Sequence, residues 1–364
     1  MTAFCRQKTK RCADSRMCFT VAGWHTHMQR ALSGLAFTAI LGLLLTTLLL
    51  TAAQAQPVEE FPAVMVPMQL TKVGPHTYYV LGQSGMVSSA NEGFNSNAGF
   101  VVTNEGVIVF DVLGTPALGK AFLALIRTVT ALPIRKIIIS HYHSDHYYGL
   151  AAFKEAGPVE VIADKEVKDY LQTTAAAERL AERRKSLAPW VNARTTVTPP
   201  DRYLMTPEET FTSGGMTFRL VHLGPAHTPE DLMMLVEEEG ILFAGDVIVA
   251  GRIPFIGDAE VTPWLAAIDR LAAFHPKVLV AGHGIHSTDV AHDLILTKSY
   301  LTYLRKTMRA AVDQGIDFEE VYRKTDWSQF NQLPAFEAAN RHNAFSVYLS
   351  AERESLAQPV PSAK

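Results

Sequence analysis

Ile137-Ile138-Ile139-Ser140-His141-Tyr142-His143-Ser144-Asp145-His146 joins a run of β-branched apolar residues to three histidines and one carboxylate. The apolar run predicts a strand that is buried on both faces. In open α/β folds the carboxyl ends of such strands border the binding crevice. Imidazole and carboxylate groups are donors that zinc and similar divalent ions accept. The stretch therefore favours a metal site over a polar turn after a core strand.

Three further stretches place a metal-binding type of side chain directly after a hydrophobic strand pattern. His227 follows an alternating segment, Asp246 follows Ile-Leu-Phe-Ala-Gly, and His283 follows Val-Leu-Val-Ala-Gly. Paired strands bring such ends to a common edge of a sheet. We therefore predict one site that collects His141, His143, Asp145, His146, His227, Asp246 and His283.

Asp111 ends another predicted strand and fits two roles equally well. Its carboxylate can cap the helix predicted at 116–132 by accepting a backbone N–H. Alternatively, it can accept a hydrogen bond from the ring of a ligand histidine and so orient that ring. The sequence leaves both roles open.

The first 55 residues differ in composition from the rest of the chain. Six basic residues and one acidic residue precede or flank an apolar segment at 35–53, and Ala53-Gln54-Ala55 forms a small-x-small pattern. These features predict a secretory signal peptide cut after Ala55, and hence a periplasmic or secreted protein. An uncleaved membrane anchor is the alternative, because the apolar segment is long enough to span a bilayer. The long basic region also leaves open whether translation starts at Met1 or Met28.

The composition is that of a globular protein with a sizeable core. The chain has 364 residues, of which 48% are hydrophobic and 19% charged, and its formal net charge is −3. No basic stripe alternates with aromatic residues, so a nucleic acid is not an expected partner. All three cysteines lie in the leader, so the mature chain is expected to have no disulfide and no cysteine ligand. We expect a small-molecule substrate and no stable membrane insertion after leader cleavage. The oligomeric state is open.

Helix and strand patterns alternate in both halves of the chain, which predicts an α/β fold. Residues 82–97 are rich in Gly, Ser and Asn and show no hydrophobic period, which predicts a loop of the kind that often borders active sites. Residues 188–213 contain Pro and Thr with little period and are predicted to form a second loop over the site. Residues 165–187 are predicted to be one helix with a charged, solvated face.

The order of these motifs resembles the metallo-β-lactamase superfamily over roughly residues 66–351. The resemblance rests on Asp111, on H-x-H-x-D-H at His141 to His146, on His227, on Gly-Asp at Asp246 and on Gly-His at His283. It implies an αββα sandwich, in which two mixed sheets are flanked by helices. The expected organisation is a signal peptide at 1–55, a linker or edge strand at 56–75, a metallo-β-lactamase-like hydrolase domain at 76–351 and a C-terminal tail at 352–364.

The resemblance also implies a role for each ligand. His141, His143 and His227 would hold one Zn²⁺, Asp145, His146 and His283 would hold a second, and Asp246 would bridge the two. The best-known zinc β-lactamases have cysteine where this chain has Asp246, so antibiotic hydrolysis is not the expected main activity. A bridging aspartate is similar to the glyoxalase II and lactonase branches. The stretches GPAHTPEDL, LFAGD and GRIPFIGDAEV resemble the exported quinoprotein relay system zinc metallohydrolases.

The chemistry that follows from two such ions is hydrolysis by a shared hydroxide. Asp145 would bind a metal and also orient the hydroxide, so it is the predicted catalytic residue. Esters, thioesters, lactones and amides are the expected substrates, and iron or manganese accepts the same donors as zinc. The alternatives are a mononuclear-iron oxidoreductase similar to persulfide dioxygenases, a hydrolase with side β-lactamase activity, and a non-catalytic metal-dependent binding protein.

Four other features near the motifs receive separate predictions. Tyr142 is expected to pack rather than to face the substrate, and His222 is not expected to be a ligand. His286, three residues after His283, is a candidate for contact with a ligand side chain. Ile253-Pro254-Phe255 is expected to form an apolar wall of the site, which suits an organic ester, thioester or lactam.

Overall fold

Two mixed β-sheets form the centre of the computed structural model, which describes residues 61–257 and 259–357. The leader and its cleavage site lie outside the described residues. The first sheet follows the order of the chain: β1 (Leu70–Lys72), β2 (Thr77–Val80), β3 (Ala98–Thr103), β4 (Gly106–Phe110), β5 (Ile134–Ile138), β6 (Glu160–Asp164) and β7 (Arg202–Leu204). Strands β1 to β4 pair antiparallel, whereas β4 to β7 pair parallel.

The second sheet has the order β12-β11-β10-β9-β8. Its strands are β8 (Glu208–Ser213), β9 (Met216–His222), β10 (Leu232–Val236), β11 (Ile241–Phe243) and β12 (Val278–Val280). Only β11 and β12 pair parallel. Strands β5 and β11 therefore belong to different sheets.

Helices cover the outer faces of both sheets. They are α1 (Pro116–Val129), α2 (Ser144–Tyr147), α3 (Leu150–Ala156), α4 (Val167–Gln172), α5 (Thr174–Ser186), α6 (Val261–Ala272), α7 (Val290–Asp313), α8 (Phe318–Lys324) and α9 (Phe336–Ala357). None of these described helices combines the length and the apolar character that a membrane span requires.

Three hydrophobic layers hold the sandwich together. The inner faces of the two sheets meet in one layer, where the rings of Phe110 and Phe243 stack with centroids 5.3 Å apart. The outer face of the first sheet buries α1 and α3, and the outer face of the second sheet buries α6, α7 and α9. Because both faces of each sheet are covered, the central strands are continuously apolar, as in β4. The predicted αββα sandwich is confirmed.

Several predicted elements have different bounds in the structure. The predicted loop 188–213 is wrong in its second half, because residues 202–204 and 208–213 are strands β7 and β8. The predicted single helix at 165–187 is two helices that meet at Thr173, whose backbone is extended. Within 56–75, the structure forms the edge strand β1, and the closing helix α9 continues past residue 351 to Ala357.

Candidate metal centre

The predicted metal stretch leaves β5 and turns into the short helix α2. His141 and His143 lie in the extended connection, and α2 then carries Asp145 and His146. Residues 245–247 form a 3₁₀ turn that follows β11, and this turn carries Asp246. The structure brings all seven predicted side chains together at the strand ends of the two sheets, in three overlapping groups: His141, His143 and His227; His141, His146 and Asp246; and Asp145, His146 and His283.

The first group converges through ring nitrogens. His143 Nδ1 lies 3.1 Å from His141 Nε2 and 2.9 Å from His227 Nε2. A tetrahedral ion with Zn–N bonds of ~2.0–2.1 Å would hold its nitrogens roughly 3.3 Å apart. The observed spacing is close to that value. These three rings can therefore share one ion.

The third group, Asp145, His146 and His283, is centred on the carboxylate of Asp145. Asp145 Oδ2 lies 3.7 Å from His146 Nε2 and 3.5 Å from His283 Nε2. Its side chain is 15% exposed, so it is more accessible to solvent than the fully buried His146 ring. This group can hold a second ion.

Asp246 stands between the first and third groups. Its Oδ2 lies 3.4 Å from His227 Nε2 and 3.2 Å from His283 Nε2, and its Oδ1 lies 3.3 Å from His146 Nε2. His141 Nε2 is farther, at 3.9 Å from Oδ2. One carboxylate thus faces imidazoles of both groups.

Asp111 and Ser140 support the rings from behind. His146 donates from Nδ1 to Asp111 Oδ2 (2.9 Å), and Ser140 donates its backbone N–H and its hydroxyl to Asp111 at 2.8 Å each. The Ser140 hydroxyl accepts from His141 Nδ1 (2.9 Å). With both Nδ1 atoms used as donors, each Nε2 is left as a lone pair for an ion. The structure thus assigns Asp111 to ligand support, and the cap of α1 is Thr115.

Residues 95–97 of the predicted loop 82–97 connect the two halves of the centre. Asn95 donates to Asp145 Oδ2 (3.0 Å), and its carbonyl accepts from His283 Nδ1 (2.6 Å). Asn97 donates from Nδ2 to the carbonyls of Ala281 (2.8 Å) and Gly284 (2.7 Å). The loop therefore holds the His283 turn in place from a distant part of the sequence.

Gly282 makes room for the Asp246 carboxylate. A Cβ atom at residue 282 would lie 2.0 Å from Asp246 Oδ1, which is far inside contact distance. On the other side of the site, Asp111 has φ +59°, in the left-handed region that asparagine and aspartate tolerate better than other side chains. Both positions are therefore constrained by the geometry of the centre.

The electrostatics of the apoprotein suit cation binding. Burial lowers the pKa of His141, His143 and His227, so these rings are neutral near pH 7. Burial alone would raise the pKa of Asp145, but His146 and His283 outweigh it and lower the pKa to about 2. Burial likewise opposes ionisation of Asp246, and His283 and His146 outweigh it to hold the pKa well below 3.8. Burial alone would lower the pKa of His146, but Asp246, Asp145 and Asp111 outweigh it and hold this pKa well above its usual value. The centre thus combines three neutral imidazoles with two ionised carboxylates and a His146 ring whose proton a bound cation would displace.

A further observation supports the binding of metal ions by these donor atoms. His146 Nε2 and Asp246 Oδ1 are buried and make no hydrogen bond among the described residues, although they lie 3.3 Å apart. A buried polar atom without a partner is costly, and a shared cation would satisfy both atoms. The residues present can therefore hold two ions.

The remaining sequence predictions have mixed outcomes. Tyr142 is fully buried and stacks on Tyr147 with centroids 4.3 Å apart, so it packs as expected. His222 hydrogen-bonds the carbonyl of Pro229 (2.8 Å), and His286 bonds the Tyr79 hydroxyl (3.0 Å) rather than a ligand. The predicted apolar wall is wrong at Ile253, which is fully buried in the core and cannot face a substrate.

Sequence reasoning missed one buried cation near the centre. Arg252 is only 3% exposed and donates to the carbonyl of Gly85 (3.2 Å). Burial lowers its pKa, whereas Asp246 and Asp145 act to raise it, so the guanidinium offsets part of the negative charge of the site. Its only sequence signal was its place six residues after Asp246.

A family model described as the metallo-beta-lactamase superfamily matches residues 91–283, which is more than half of the chain. The chain belongs to the metallo-beta-lactamase superfamily. This match includes all seven predicted site residues, from His141 to His283. The superfamily predicted from the sequence is therefore confirmed.

Two curated relatives illustrate the range of this superfamily. A linear primary-alkylsulfatase from Pseudomonas sp. is 21% identical over 255 residues, which cover 60% of this chain and 48% of the relative. A metallo-beta-lactamase type 2 from Elizabethkingia meningoseptica is 25% identical over 214 residues, which cover 57% of this chain and 77% of the relative. The chain thus spans about half the length of the alkylsulfatase. Both are enzymes of the metal-dependent hydrolase class predicted from the sequence.

Solved structures of superfamily members share the fold. The stereoselective inverting sec-alkylsulfatase Pisa1 from Pseudomonas sp. superposes with a TM-score of 0.63 at 17% identity, covering 81% of this chain and 52% of that one. The metallo-beta-lactamase from Pontibacter korlensis superposes with a TM-score of 0.51 at 23% identity, covering 65% and 99%. At these identities the likeness establishes the sandwich and leaves the substrate open.

Proposed function

We propose that this chain is an exported dinuclear zinc hydrolase that cleaves an ester, thioester, lactone or amide bond in a small organic molecule. The observation that carries the proposal is the place of Asp246, whose two oxygens face His227 and His283 on one side and His146 on the other. A carboxylate in that position suits a bridge between two ions. The bridging aspartate also supports the glyoxalase II-like and quinoprotein relay system-like branches.

Two bound zinc ions would supply Lewis acidity and lower the pKa of a water molecule to near neutrality. The residues of the chain position that water and its proton. Asp145 accepts from Asn95 through Oδ2 and has no hydrogen bond at Oδ1 among the described residues. Because the side chain is 15% exposed, Oδ1 can accept a hydrogen bond from the attacking water. Asp145 is accordingly the proposed catalytic residue beyond its role as a ligand.

The proposed export rests on the leader alone. Basic residues, an apolar segment and the Ala53-Gln54-Ala55 pattern support secretion, and these residues lie outside the described structure.

The test is hydrolysis by purified protein carrying substitutions in either half of the centre. We expect His143→Ala and Asp246→Ala to lower the rate at least ~100-fold, because each leaves an ion short of a donor. His292→Ala is the matched control, since His292 is exposed and far along the chain on α7, and it should keep the wild-type rate. The panel should contain esters, thioesters, lactones, amides, β-lactams and alkyl sulfates, because two relatives are named for the last two classes.

Two results would contradict the proposal. Full hydrolysis in both His143→Ala and Asp246→Ala would exclude the assigned centre. One equivalent of iron together with oxygen consumption, and no hydrolysis of any panel member, would favour the oxidoreductase alternative.

A further inference from the structure

The turn that carries His227 contains a buried carboxylate that is not one of the seven ligands. This turn, residues 223–231, joins β9 to β10, and we call it the His227 turn. Glu230 lies three residues after His227 and is only 5% exposed. It forms no ion pair within the part of the chain that the structure describes. A buried carboxylate is costly unless hydrogen bonds compensate it, so its hydrogen-bond partner is informative.

The ring of His227 lacks the hydrogen bond that orients other ligand rings from behind. His227 Nδ1 is buried and has no hydrogen-bond partner among the described residues. By contrast, His141 and His283 each use Nδ1 in a hydrogen bond to a neighbouring oxygen. The Trp264 ring lies beside His227, with centroids 5.4 Å apart. The direction of the His227 ring is therefore set by packing and by the backbone of its turn.

Hydrogen bonds within the His227 turn fix its backbone. The carboxylate of Asp231 accepts from the backbone N–H and the hydroxyl of Thr228 at 2.8 and 2.9 Å. The carbonyl of Asp231 accepts from the N–H of Leu223 (2.8 Å), and the N–H of Ala226 donates to the carbonyl of Thr228 (3.0 Å). The turn is therefore a compact unit, and its position relative to the metal stretch determines where the His227 ring lies.

Two hydrogen bonds attach this unit to the metal stretch. At the start of β10, the N–H of Leu232 donates to the carbonyl of Ser140 (2.9 Å). Glu230 makes the second bond, in which Oε1 accepts from the buried backbone N–H of Tyr142 (3.3 Å). Tyr142 is the residue between the first two histidines of the metal stretch. Glu230 thus joins the two chain segments that supply the three imidazoles of the first group.

This connection affects metal binding because one ion needs a fixed spacing of its donors. His143 Nδ1 lies 2.9 Å from His227 Nε2 and 3.1 Å from His141 Nε2. A displacement of roughly 1 Å in one ligand is enough to impair such a site. Two of these rings belong to one segment and the third to a segment more than 80 residues away. The contacts between the segments therefore control the spacing.

We propose that Glu230 is a positioning residue for the first ion, meaning the ion held by His141, His143 and His227. Its carboxylate holds the His227 turn against the metal stretch, so that three imidazoles from two distant segments keep the spacing that one ion needs. This role rests on the proposed dinuclear centre. It concerns only the all-histidine half, so the ion of the third group would not depend on Glu230.

Two substitutions separate the hydrogen bond from the size of the side chain. Glu230→Gln keeps an oxygen that can accept from the Tyr142 N–H, whereas Glu230→Met has a similar length and offers only a weak sulfur acceptor. Glu178→Ala, at an exposed position on α5, is the matched control. Cobalt(II) is the probe ion, and competition with a chelator gives its affinity. Its visible absorption depends on its ligands, which distinguishes the all-histidine ion from the ion that also binds Asp145.

The proposal predicts a selective effect on one ion. We expect Glu230→Met to weaken the binding of the first ion ~10- to 100-fold and to change that of the second less than ~3-fold. Glu230→Gln should bind both ions within ~3-fold of the wild type, because the amide oxygen restores the acceptor. Glu178→Ala should match the wild type at both ions.

Three results would overturn the proposal. The first is equal weakening of both ions in Glu230→Met, because Glu230 would then support the fold as a whole. The second is an unchanged affinity for the first ion in that variant, and the third is the same loss in Glu230→Gln. Melting temperatures of the metal-free proteins show whether each variant is folded. If Glu230→Met does not fold, Glu230→Asp replaces it, since the shorter side chain withdraws the carboxylate from Tyr142 and should weaken the first ion selectively.

Metal binding separates this role from the proposed hydrolysis. Selective loss of the first ion in Glu230→Met, together with a wild type that hydrolyses no member of the substrate panel, would refute the proposed function alone. Hydrolysis by the wild type, together with equal cobalt affinities in the wild type and Glu230→Met, would refute the role of Glu230 alone.

Discussion

Hydrogen bonds behind the ligand rings determine which nitrogen each histidine offers. His146 and His141 use Nδ1 toward Asp111 and Ser140, and His283 uses Nδ1 toward the carbonyl of Asn95. In each ring, Nε2 is thereby left to face the centre. A substitution behind the ligands should therefore alter metal affinity without removing a ligand.

Asp111→Asn should weaken the binding of the ion held by His146. An asparagine keeps the size of the side chain and loses the negative charge that accepts from His146 Nδ1 and Ser140. We expect a ~10- to 100-fold loss of affinity at the second metal, measured by competition with a chromogenic chelator. Asp169→Asn, an exposed position on α4, is the control and should bind both ions normally. Unchanged affinity in Asp111→Asn would contradict the supporting role.

Gly282→Ala should displace the proposed bridge. The added Cβ would meet Asp246 Oδ1 at 2.0 Å, so either the carboxylate or the His283 turn must shift. We expect loss of at least one bound ion, measured by elemental analysis. Gly85→Ala is a useful comparison, because φ is +112° and no atom lies within 4 Å of the new Cβ. The Gly85→Ala variant tests the effect of backbone strain without a steric clash, and we expect it to retain both ions.

At the level of single elements, hydrophobic pattern predicted the buried strands well and the edge strands poorly. Strands β4, β10 and β11 are entirely apolar, so their sequences alone indicate burial. Strand β8 reads Glu-Glu-Thr-Phe-Thr-Ser and buries only its last residue, so it resembles a polar loop. It is a strand because it pairs with β9, and the local sequence pattern does not reveal this pairing. The break at Thr173 was likewise hidden within a charged, helix-favouring segment.

A bidentate ion pair joins the edges of the two sheets. Arg202 of β7 donates to Glu209 of β8 at 2.7 and 2.8 Å and to Glu160 of β6 at 3.1 Å. We expect Arg202→Met to lower the free energy of unfolding of the metal-free protein by about 1 kcal/mol at pH 7, since the pair is only partly buried. Urea unfolding would measure this change. Arg305→Met, at an exposed position on α7, should have almost no effect.

Acid should abolish that difference. Lys136 and, to a smaller extent, Arg202 lower the pKa of Glu160 below its unfolded value. The stabilisation is therefore present above the unfolded pKa of ~4.3 and is lost as the pH falls through the folded pKa. Unfolding curves of the wild type and Arg202→Met should converge as the pH decreases below about 4. A difference that persists or grows in acid would contradict this account of the pair.

For the whole molecule, the sequence predicted which seven side chains converge but not the contacts that hold them. The seven side chains could be proposed because each follows a recognisable strand, and the order of motifs resembled a known superfamily. Asn95 and Asn97 could not be assigned, because their partners lie 50 to 188 residues away. Tertiary contacts of this length are set by the fold and leave no local pattern.

The central claim is that seven side chains hold a pair of ions, with the carboxylate of Asp246 between them. Its most direct test is the metal content per chain of the purified wild type, Asp246→Ala and His292→Ala, measured by native mass spectrometry and elemental analysis. We predict two zinc ions in the wild type and in His292→Ala, one or fewer in Asp246→Ala, and loss of hydrolysis when chelation removes them. A wild-type protein that is fully active with no bound metal would contradict the account.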